Sequence, residues 1–209
     1  MRGIFFGDIY SEEKYNAVTN YVKITPPAVK ENYVDITGGN SSIDLTEAVG
    51  GIVFEDGTME LKFSLRNYEK KEQMKNDLHG KRMNITLEKD AGFYYDGRIK
   101  CISDEWIKGI YELSFSVRLT PYKYEKHETL HHDRVDGISK YIYLPNLRMP
   151  VMPQIAVEGN IVLTYEGLKF ALNSGTYVIA ELTLQEGLNK IKLSGTGGIT
   201  FRYRRGQLI

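Results

Sequence analysis

Residues 59–65 read MELKFSL, and residues 113–119 read LSFSVRL. In both stretches apolar side chains alternate with polar or charged ones. Successive side chains of a β-strand point to opposite faces, so a period of two indicates a strand with one face on a core. The same alternation returns at residues 199–203, which read ITFRY. The sequence therefore predicts a mainly β protein.

The composition bounds the class of protein. The chain has 209 residues, 42% of them hydrophobic, and its 27 Lys and Arg balance its 27 Asp and Glu. This hydrophobic content is that of a globular protein, and a formal net charge of zero creates no overall field that would recruit nucleic acid or anionic lipid. The apolar run at residues 4–6 is too short for a signal peptide, and no apolar stretch is long enough to span a bilayer. We therefore expect synthesis and folding in a cytoplasm.

One segment breaks the β pattern. Residues 67–80 are rich in Glu, Lys, Gln and Met, with Asn67 as a candidate N-cap and Gly80 as a candidate stop. We predict one helix here. Its apolar content is chiefly Met74 and Leu78, four residues apart, so we expect it to lie at the edge of the β core with most of its surface in water.

Residues 93–100 favour a hairpin. They read FYYDGRIK and place Asp96-Gly97 between β-prone residues. The Asp-Gly dipeptide readily adopts the positive φ angles of a tight type I′ turn. We predict that the chain reverses at these two residues.

The middle of the chain indicates a join between two domains, residues 1–128 and 129–209. Four of the six prolines and a charged stretch at residues 123–136 lie near it. Beyond the join, short β-prone runs predict a small antiparallel sandwich. Its predicted turns fall at residues 158–160 and 185–189, and the glycines of residues 195–198 are expected to turn a further hairpin.

Few residues suggest chemistry. The cluster of His127, His131, His132 and Asp133 could in principle hold zinc, but it lacks the Glu of a zincin motif, which favours a solvated linker. The single cysteine, Cys101, lies in a strand-like run without a nearby His, which favours a buried structural thiol. Neither a nucleophile elbow nor a phosphate-binding loop is present in the sequence. We expect no catalytic residue, cofactor or metal.

The fifteen tyrosines are the other unusual feature of the sequence. Tyrosine is enriched at protein interfaces because it combines a rigid apolar ring with one hydrogen bond, although ordinary use in a β core explains such residues equally well. Aromatic side chains also stack on sugars, so a carbohydrate-binding β-sandwich module is the alternative function.

In order along the chain, these features resemble the distal tail proteins of long-tailed bacteriophages and related phage-tail-like particles. The segments that carry the resemblance span nearly the whole chain: residues 5–8, 24–30, 34–38, 43–47, 59–65, 78–81, 94–99, 113–124, 152–159, 175–179, 184–189 and 201–208.

The resemblance implies an N-terminal β-sandwich that carries one helix and a protruding hairpin, followed by a small galectin-like β-sandwich. It implies a structural hub at the virion tail tip, whose first domain forms a hexameric ring. Such rings join the tail tube protein to tail-tip and baseplate proteins and give receptor-binding proteins a place to attach, without involving nucleic acid or membrane. The second domain is short compared with larger members of the family, so direct binding to a host stays an open question.

The hairpin supplies the candidate interface between copies. A protruding hairpin exposes unpaired backbone groups, and pairing around a closed ring removes such edges. The predicted interface residues are Tyr94, Tyr95, Asp96, Gly97 and Arg98, with the helix at residues 67–80 as a second interface element.

Overall fold

A computed structural model describes residues 3–48 and 50–209 of the chain. The chain divides into two compact units. The first runs to Lys123 and also includes Leu208–Ile209, and the second comprises Tyr124–Gln207. Within the described ranges, none of the helices has the length and apolar character needed to cross a membrane.

The elements are mainly strands, which confirms the predicted fold class. In chain order the strands are β1 (Ile4–Phe6), β2 (Ile9–Tyr10), β3 (Val18–Thr25), β4 (Tyr33–Asp35), β5 (Ser42–Asp44), β6 (Gly57–Leu65), β7 (Arg82–Leu87), β8 (Phe93–Ile107), β9 (Ile110–Glu125), β10 (Thr129–Asp136), β11 (Lys140–Asn146), β12 (Gln154–Tyr165), β13 (Leu168–Leu172), β14 (Gly175–Val178), β15 (Gly187–Tyr203) and β16 (Gly206–Leu208). The helices are α1 (Ser11–Tyr15) and α2 (Tyr68–Leu78), with one 3-10 turn at Glu88–Asp90.

One sheet organises the first unit, in the order β2-β1-β7-β8-β9-β6-β3, with β16 paired to β9. β6 and β9 carry the two alternating stretches and run antiparallel, with Leu61 opposite Phe115. The rings of Phe63 and Phe115 meet edge to face at 6.0 Å. The apolar members of both stretches are at most 1% exposed: Met59, Leu61, Phe63, Leu65, Leu113, Phe115, Val117 and Leu119. Burial of each such side chain contributes about 1.5–3 kcal/mol, so these two strands form the centre of the core.

The predicted helix is confirmed as α2. The side chain of Asn67 accepts a hydrogen bond from the Lys70 backbone N–H at 2.9 Å, as an N-cap does. Met74 and Leu78 are fully buried, and the next residue but one, Gly80, has φ of +80°. The short helix α1 was not anticipated, because its five residues carry no apolar periodicity that a sequence pattern could reveal.

The predicted reversal at Asp96-Gly97 is wrong. β8 runs straight through both residues, and Gly97 pairs with Met83 of β7. The chain reverses instead at Lys108 and Gly109, whose φ angles are +49° and +88°. Gly97 is needed for another reason, since a Cβ there would lie 2.7 Å from the Arg118 carbonyl oxygen and from a Val117 methyl. The protruding hairpin is therefore β8 and β9, with its tip twelve residues beyond the predicted turn.

Residues 28–55 form an arm between β3 and β6. The arm consists of the two-stranded sheet of β4 and β5, in which Val34 lies opposite Ile43. Its base is closed by a bridge between Val29 and Phe54 and by backbone hydrogen bonds on either side of that bridge.

The second unit is built on two long strands. β12 and β15 pair antiparallel from Gln154 to Thr164, while β10 and β11 pair with opposite ends of β15. β13 and β14 pair with the two ends of β12. The unit has its own apolar core, which includes Leu163, Leu193, Ile199 and Phe201, all fully buried.

Two turn predictions in this unit are wrong. Residues 158–160 lie within β12 and residues 195–198 lie within β15, so neither segment reverses the chain. The glycines permit the two strands to approach each other closely. A Cβ at Gly197, whose φ is +145°, would lie only 1.9 Å from the Glu158 carbonyl oxygen.

The linker interpretation of residues 123–136 is also wrong. β9 continues to Glu125, and β10 begins at Thr129 and pairs with β15 over its whole length. Alternating polar residues conceal this strand, because only Val135 in it is fully buried.

Candidate assembly surfaces

The five predicted interface residues lie along the paired part of β8. Tyr95 points into the core, 4% exposed, and its hydroxyl donates to Asp90 Oδ2 at 2.8 Å. Burial, together with that carboxylate, raises the pKa of Tyr95. Gly97 is buried, Tyr94 and Asp96 are half-buried, and Arg98 is exposed. Assignment of these residues to an interface stays a prediction, and Tyr95 has no surface of its own to offer a second copy.

Asp96 and Arg98 lie in a basic groove of about 450 Å³ on the outer face of the sheet. Its charged lining residues are Asp56, Arg82, Asp96, Arg98, Lys100 and Arg118. Four cations thus face two carboxylates. We call this surface the basic groove.

Ion pairs shape the basic groove. Arg82 binds both carboxylate oxygens of Asp96, with its Nε at 3.0 and 3.2 Å from them. Arg118 Nε donates to Asp56 Oδ2 at 2.5 Å, and the Arg118 side chain is 79% exposed. Arg98 donates to the Gly80 carbonyl oxygen at 2.7 Å, just beyond the end of α2. The exposed Lys100 ammonium makes no ion pair with any residue that the structure describes.

The helix and the hairpin, predicted separately as interface elements, form one surface. Trp106 near the hairpin tip lies 4.1 Å from the Tyr111 ring of β9, and Tyr111 lies 5.9 Å from Tyr68 of α2, measured between ring centroids. Trp106 and Tyr68 are each 58% exposed. We call Trp106, Tyr111 and Tyr68 the aromatic patch. Large exposed aromatic groups that share one surface are typical of protein-binding sites.

A network of charges fixes the helix to the hairpin beneath the aromatic patch. Asp104 Oδ2 of β8 accepts from Lys71 Nζ at 2.9 Å and from Lys75 Nζ at 2.7 Å. Both lysines also bind Glu72, and the Lys71 ammonium lies 4.8 Å from the Tyr68 ring centroid. Burial by itself would raise the pKa of Asp104, but the hydrogen bonds from Lys75 and Lys71 hold that pKa below its ordinary value. The network therefore stays ionised near neutral pH.

The histidine segment does not gather metal ligands. In residues 3–48 and 50–209 there is no group of three His, Cys, Asp or Glu side chains arranged to hold a metal ion. His132 Nδ1 is hydrogen-bonded with Thr200 Oγ1 at 2.9 Å, and Asp133 binds the Lys140 ammonium. These side chains connect neighbouring residues of the second unit.

Cys101 is a half-buried thiol in β8 that packs against the first core. Burial raises its pKa, so the thiol stays protonated near neutral pH. A protonated, partly buried thiol has the character of a structural residue, because the thiolate is the reactive form.

Sequence reasoning missed the aromatic patch and the arm. The only tryptophan, at position 106, was a usable signal, since it is followed closely by the Lys108-Gly109 turn. The arm carries β-prone residues without strict alternation, so nothing in its sequence indicated that both its faces would be exposed.

No family model matches this chain, and no curated protein matches its sequence. Among solved structures, the chain is similar to the SPP1 Dit (gp 19.1) protein, described as a paradigm of the hub adsorption apparatus in phages that infect Gram-positive bacteria. The likeness covers 97% of this chain and 98% of that one, with a TM-score of 0.71 and 12% sequence identity. The chain therefore has the Dit fold over both of its units.

Proposed function

We propose that this chain is a structural hub protein of a phage tail tip, as the sequence resemblance implied. One observation carries the proposal: the likeness to the SPP1 Dit protein extends over 97% of the chain, so both units and their order along the sequence are shared. A fold shared over one unit alone would say little about function, since common folds host many roles.

In this proposal the first unit, predicted as residues 1–128, forms a hexameric ring, and the second, predicted as residues 129–209, is a galectin-like sandwich. The ring joins the tail tube protein to tail-tip and baseplate proteins. The role is structural and not catalytic, and the protein resides in the virion.

The exposed surfaces of the first unit support a ring. A closed ring of identical subunits uses two different, complementary patches on each copy, because each contact is head to tail. The basic groove and the aromatic patch are two such distinct surfaces. Of residues 94–98, Asp96, Gly97 and Arg98 line the groove, and Tyr95 is buried in the core. Their participation in the ring is part of the proposal.

The mass of the protein in solution tests the proposal. Light scattering on the purified chain, alone and with its neighbouring tail proteins, should give a discrete species near six times 23.9 kDa. Negative-stain electron microscopy should show that species as rings. A chain that stays monomeric alone and with those partners would contradict the ring.

A further inference from the structure

Most apolar side chains of the arm are exposed, and the exception is Phe54 at its base, whose ring packs edge to face on Tyr122 at 6.1 Å. Between residues 28 and 55, every described residue except Thr46 and Phe54 is exposed. Its large apolar side chains are 37% to 55% exposed: Val29, Tyr33, Val34, Ile36, Ile43, Leu45, Ile52 and Val53. A two-stranded hairpin without packing on one of its faces is only marginally stable in water. The arm therefore has the properties of an element that is completed by another chain.

The arm is acidic. Residues 28–55 contain five carboxylates and a single lysine, Lys30. Glu31, Asp44 and Glu47 line a shallow concavity on the arm together with Tyr33. Hydrogen bonds from Thr46 lower the pKa of Asp44, so this carboxylate keeps its charge near neutral pH. The partner surface should accordingly be cationic.

The basic groove is such a surface on the same unit. Arg118 already binds the carboxylate of Asp56, the residue that directly follows the arm, so the groove is chemically suited to carboxylates. The Lys100 ammonium is exposed and makes no ion pair among the described residues. The arm does not cover this groove in its own chain, because the carboxylates of the arm and the guanidinium of Arg118 are all exposed.

We infer that the acidic arm of one copy docks along the basic groove of a second copy of this chain. The contact is head to tail, because the arm and the groove are different surfaces of one molecule. Such a contact closes a ring when its repeated rotation completes a full turn, and otherwise builds an open chain. Only the closure of the ring rests on the proposed function; the contact between two copies does not. Attraction between opposite charges sets the register of the contact, and the apolar residues of the arm supply the buried area.

Charge reversal in trans tests this contact. The arm variant carries Glu31→Lys and Glu47→Lys, and the groove variant carries Lys100→Glu and Arg118→Glu; all four side chains are exposed, so the fold should persist by circular dichroism. Because like charges facing each other are strongly unfavourable, each variant alone should assemble with a dissociation constant at least about tenfold higher than the parent in sedimentation velocity. An equimolar mixture of the two variants should assemble again, since a reversed arm then meets a reversed groove.

A matched control separates this contact from a general effect of charge. Lys169→Glu with Arg202→Glu makes the same change of charge as the groove variant, at exposed positions of the second unit, and should leave assembly at the level of the parent. A parent that forms rings while the arm and groove variants form them equally well overturns the arm contact and leaves the ring. If the parent forms dimers or open chains, and the mixture of the two variants restores that assembly, the result supports the arm contact and overturns the ring.

Two further outcomes overturn the inference. A parent that stays monomeric at every concentration, with variants indistinguishable from it, overturns both the arm contact and the ring. Binding of a labelled duplex oligonucleotide that the groove variant loses, while its assembly is unchanged, assigns the groove to nucleic acid in place of a second copy.

Discussion

Buried polar side chains hold loops of the second unit in place. The side chain of Asn189, 7% exposed, donates to the carbonyl oxygens of Leu144 and Gln185 at 3.2 and 2.8 Å. Its Oδ1 accepts from the Gln185 N–H at 2.8 Å and from the Tyr165 hydroxyl at 3.0 Å. One amide thus bonds to groups on three separate segments, as buried polar groups require.

Replacing Asn189 with Leu should therefore destabilise the second unit. The change leaves the Gln185 N–H without its acceptor and removes the amide donor from the Leu144 and Gln185 carbonyl oxygens, which costs about 3 kcal/mol in free energy of unfolding. Urea unfolding measures the loss. Asn173→Leu, the same change at an exposed position, should have little effect, and equal stability of the two variants would contradict the assigned role.

Gly97 should prove to be a core residue and not a turn residue. In Gly97→Ala the added methyl meets the Arg118 carbonyl oxygen at 2.7 Å, so β8 and β9 must separate. We expect a loss of about 1–3 kcal/mol in the free energy of unfolding, the range for overpacked sites. The control is Gly92→Ala, where nothing lies within 4 Å of the new methyl. A Gly97→Ala variant as stable as the control would show that the strands can move apart freely.

At the scale of elements, ion pairs connect α2 to the β8–β9 hairpin. The Lys71 side chain is only 6% exposed, and Asp104 of the hairpin is one of its two anionic partners. Removal of one partner from a largely buried ion pair costs more than the net contribution of the intact pair, since the remaining charge stays desolvated.

Asp104→Asn should lower the stability of the first unit at neutral pH by about 2 kcal/mol, the range for a hydrogen bond between charged groups. Because folding depresses the pKa of Asp104, its contribution is present above the unfolded pKa of about 4 and is lost as the pH falls through the folded pKa. The parent should thus lose stability on acidification below about pH 4, and the variant should lose less.

Urea unfolding of both proteins at neutral and acidic pH checks this prediction. Asp136→Asn is the control, because its ion pair with Arg134 is exposed, with side chains 79% and 77% accessible. If the difference between the parent and Asp104→Asn stayed constant down to the lowest pH, Asp104 would not be the titrating group.

Trp106 should contribute to binding and not to folding. Its ring is 58% exposed and is supported by Tyr111, so Trp106→Ala removes little buried area within one chain. If the aromatic patch contacts a partner in the tail tip, truncation should cost on the order of 2 kcal/mol per contact. Sedimentation with the tail partners measures this, with Tyr141→Ala as the control at a 53% exposed site of the second unit. Unchanged association would remove the patch from the interface.

At the scale of the whole molecule, the C-terminal residues belong to the first unit although the second precedes them. Ile209 packs against the first core, and a Cβ on Gly57 would lie 2.2 Å from its Cδ1. The Ile209 N–H also donates to the Pro121 carbonyl oxygen at 3.3 Å. The first unit is therefore complete only when the chain has passed through the second.

Ile209→Ala should accordingly loosen the first unit and leave the second unchanged. Loss of a partly buried isoleucine costs about 1–2 kcal/mol. Hydrogen exchange should rise in peptides from β6 and β9 and stay the same in peptides from β12 and β15. Leu188→Ala, at a 72% exposed site of the second unit, serves as the control. Exchange that rises equally in both units would contradict the assignment of the C-terminus.

Sequence patterns predicted those features that depend on neighbours along the chain. The alternation at residues 59–65 and 113–119 correctly identified buried strand faces, because which side of a strand a residue occupies depends only on its position. The α2 helix was predicted for a similar reason, since its cap at Asn67 acts within one helical turn. The order of short segments along the chain also supplied the resemblance to distal tail proteins, and the fold agrees with it.

The sequence by itself thus determined the β class, the helix and the family that the chain resembles. The tertiary structure alone decided where the strands reverse and which surfaces stay open. Whether a glycine turns the chain or lets another strand approach depends on residues far away in sequence, as with Gly97 and Arg118. The basic groove likewise combines residues of β7, β8 and β9, and the aromatic patch combines Tyr68 with Trp106. Such surfaces exist only after strands pair, because pairing brings together side chains that no local pattern connects.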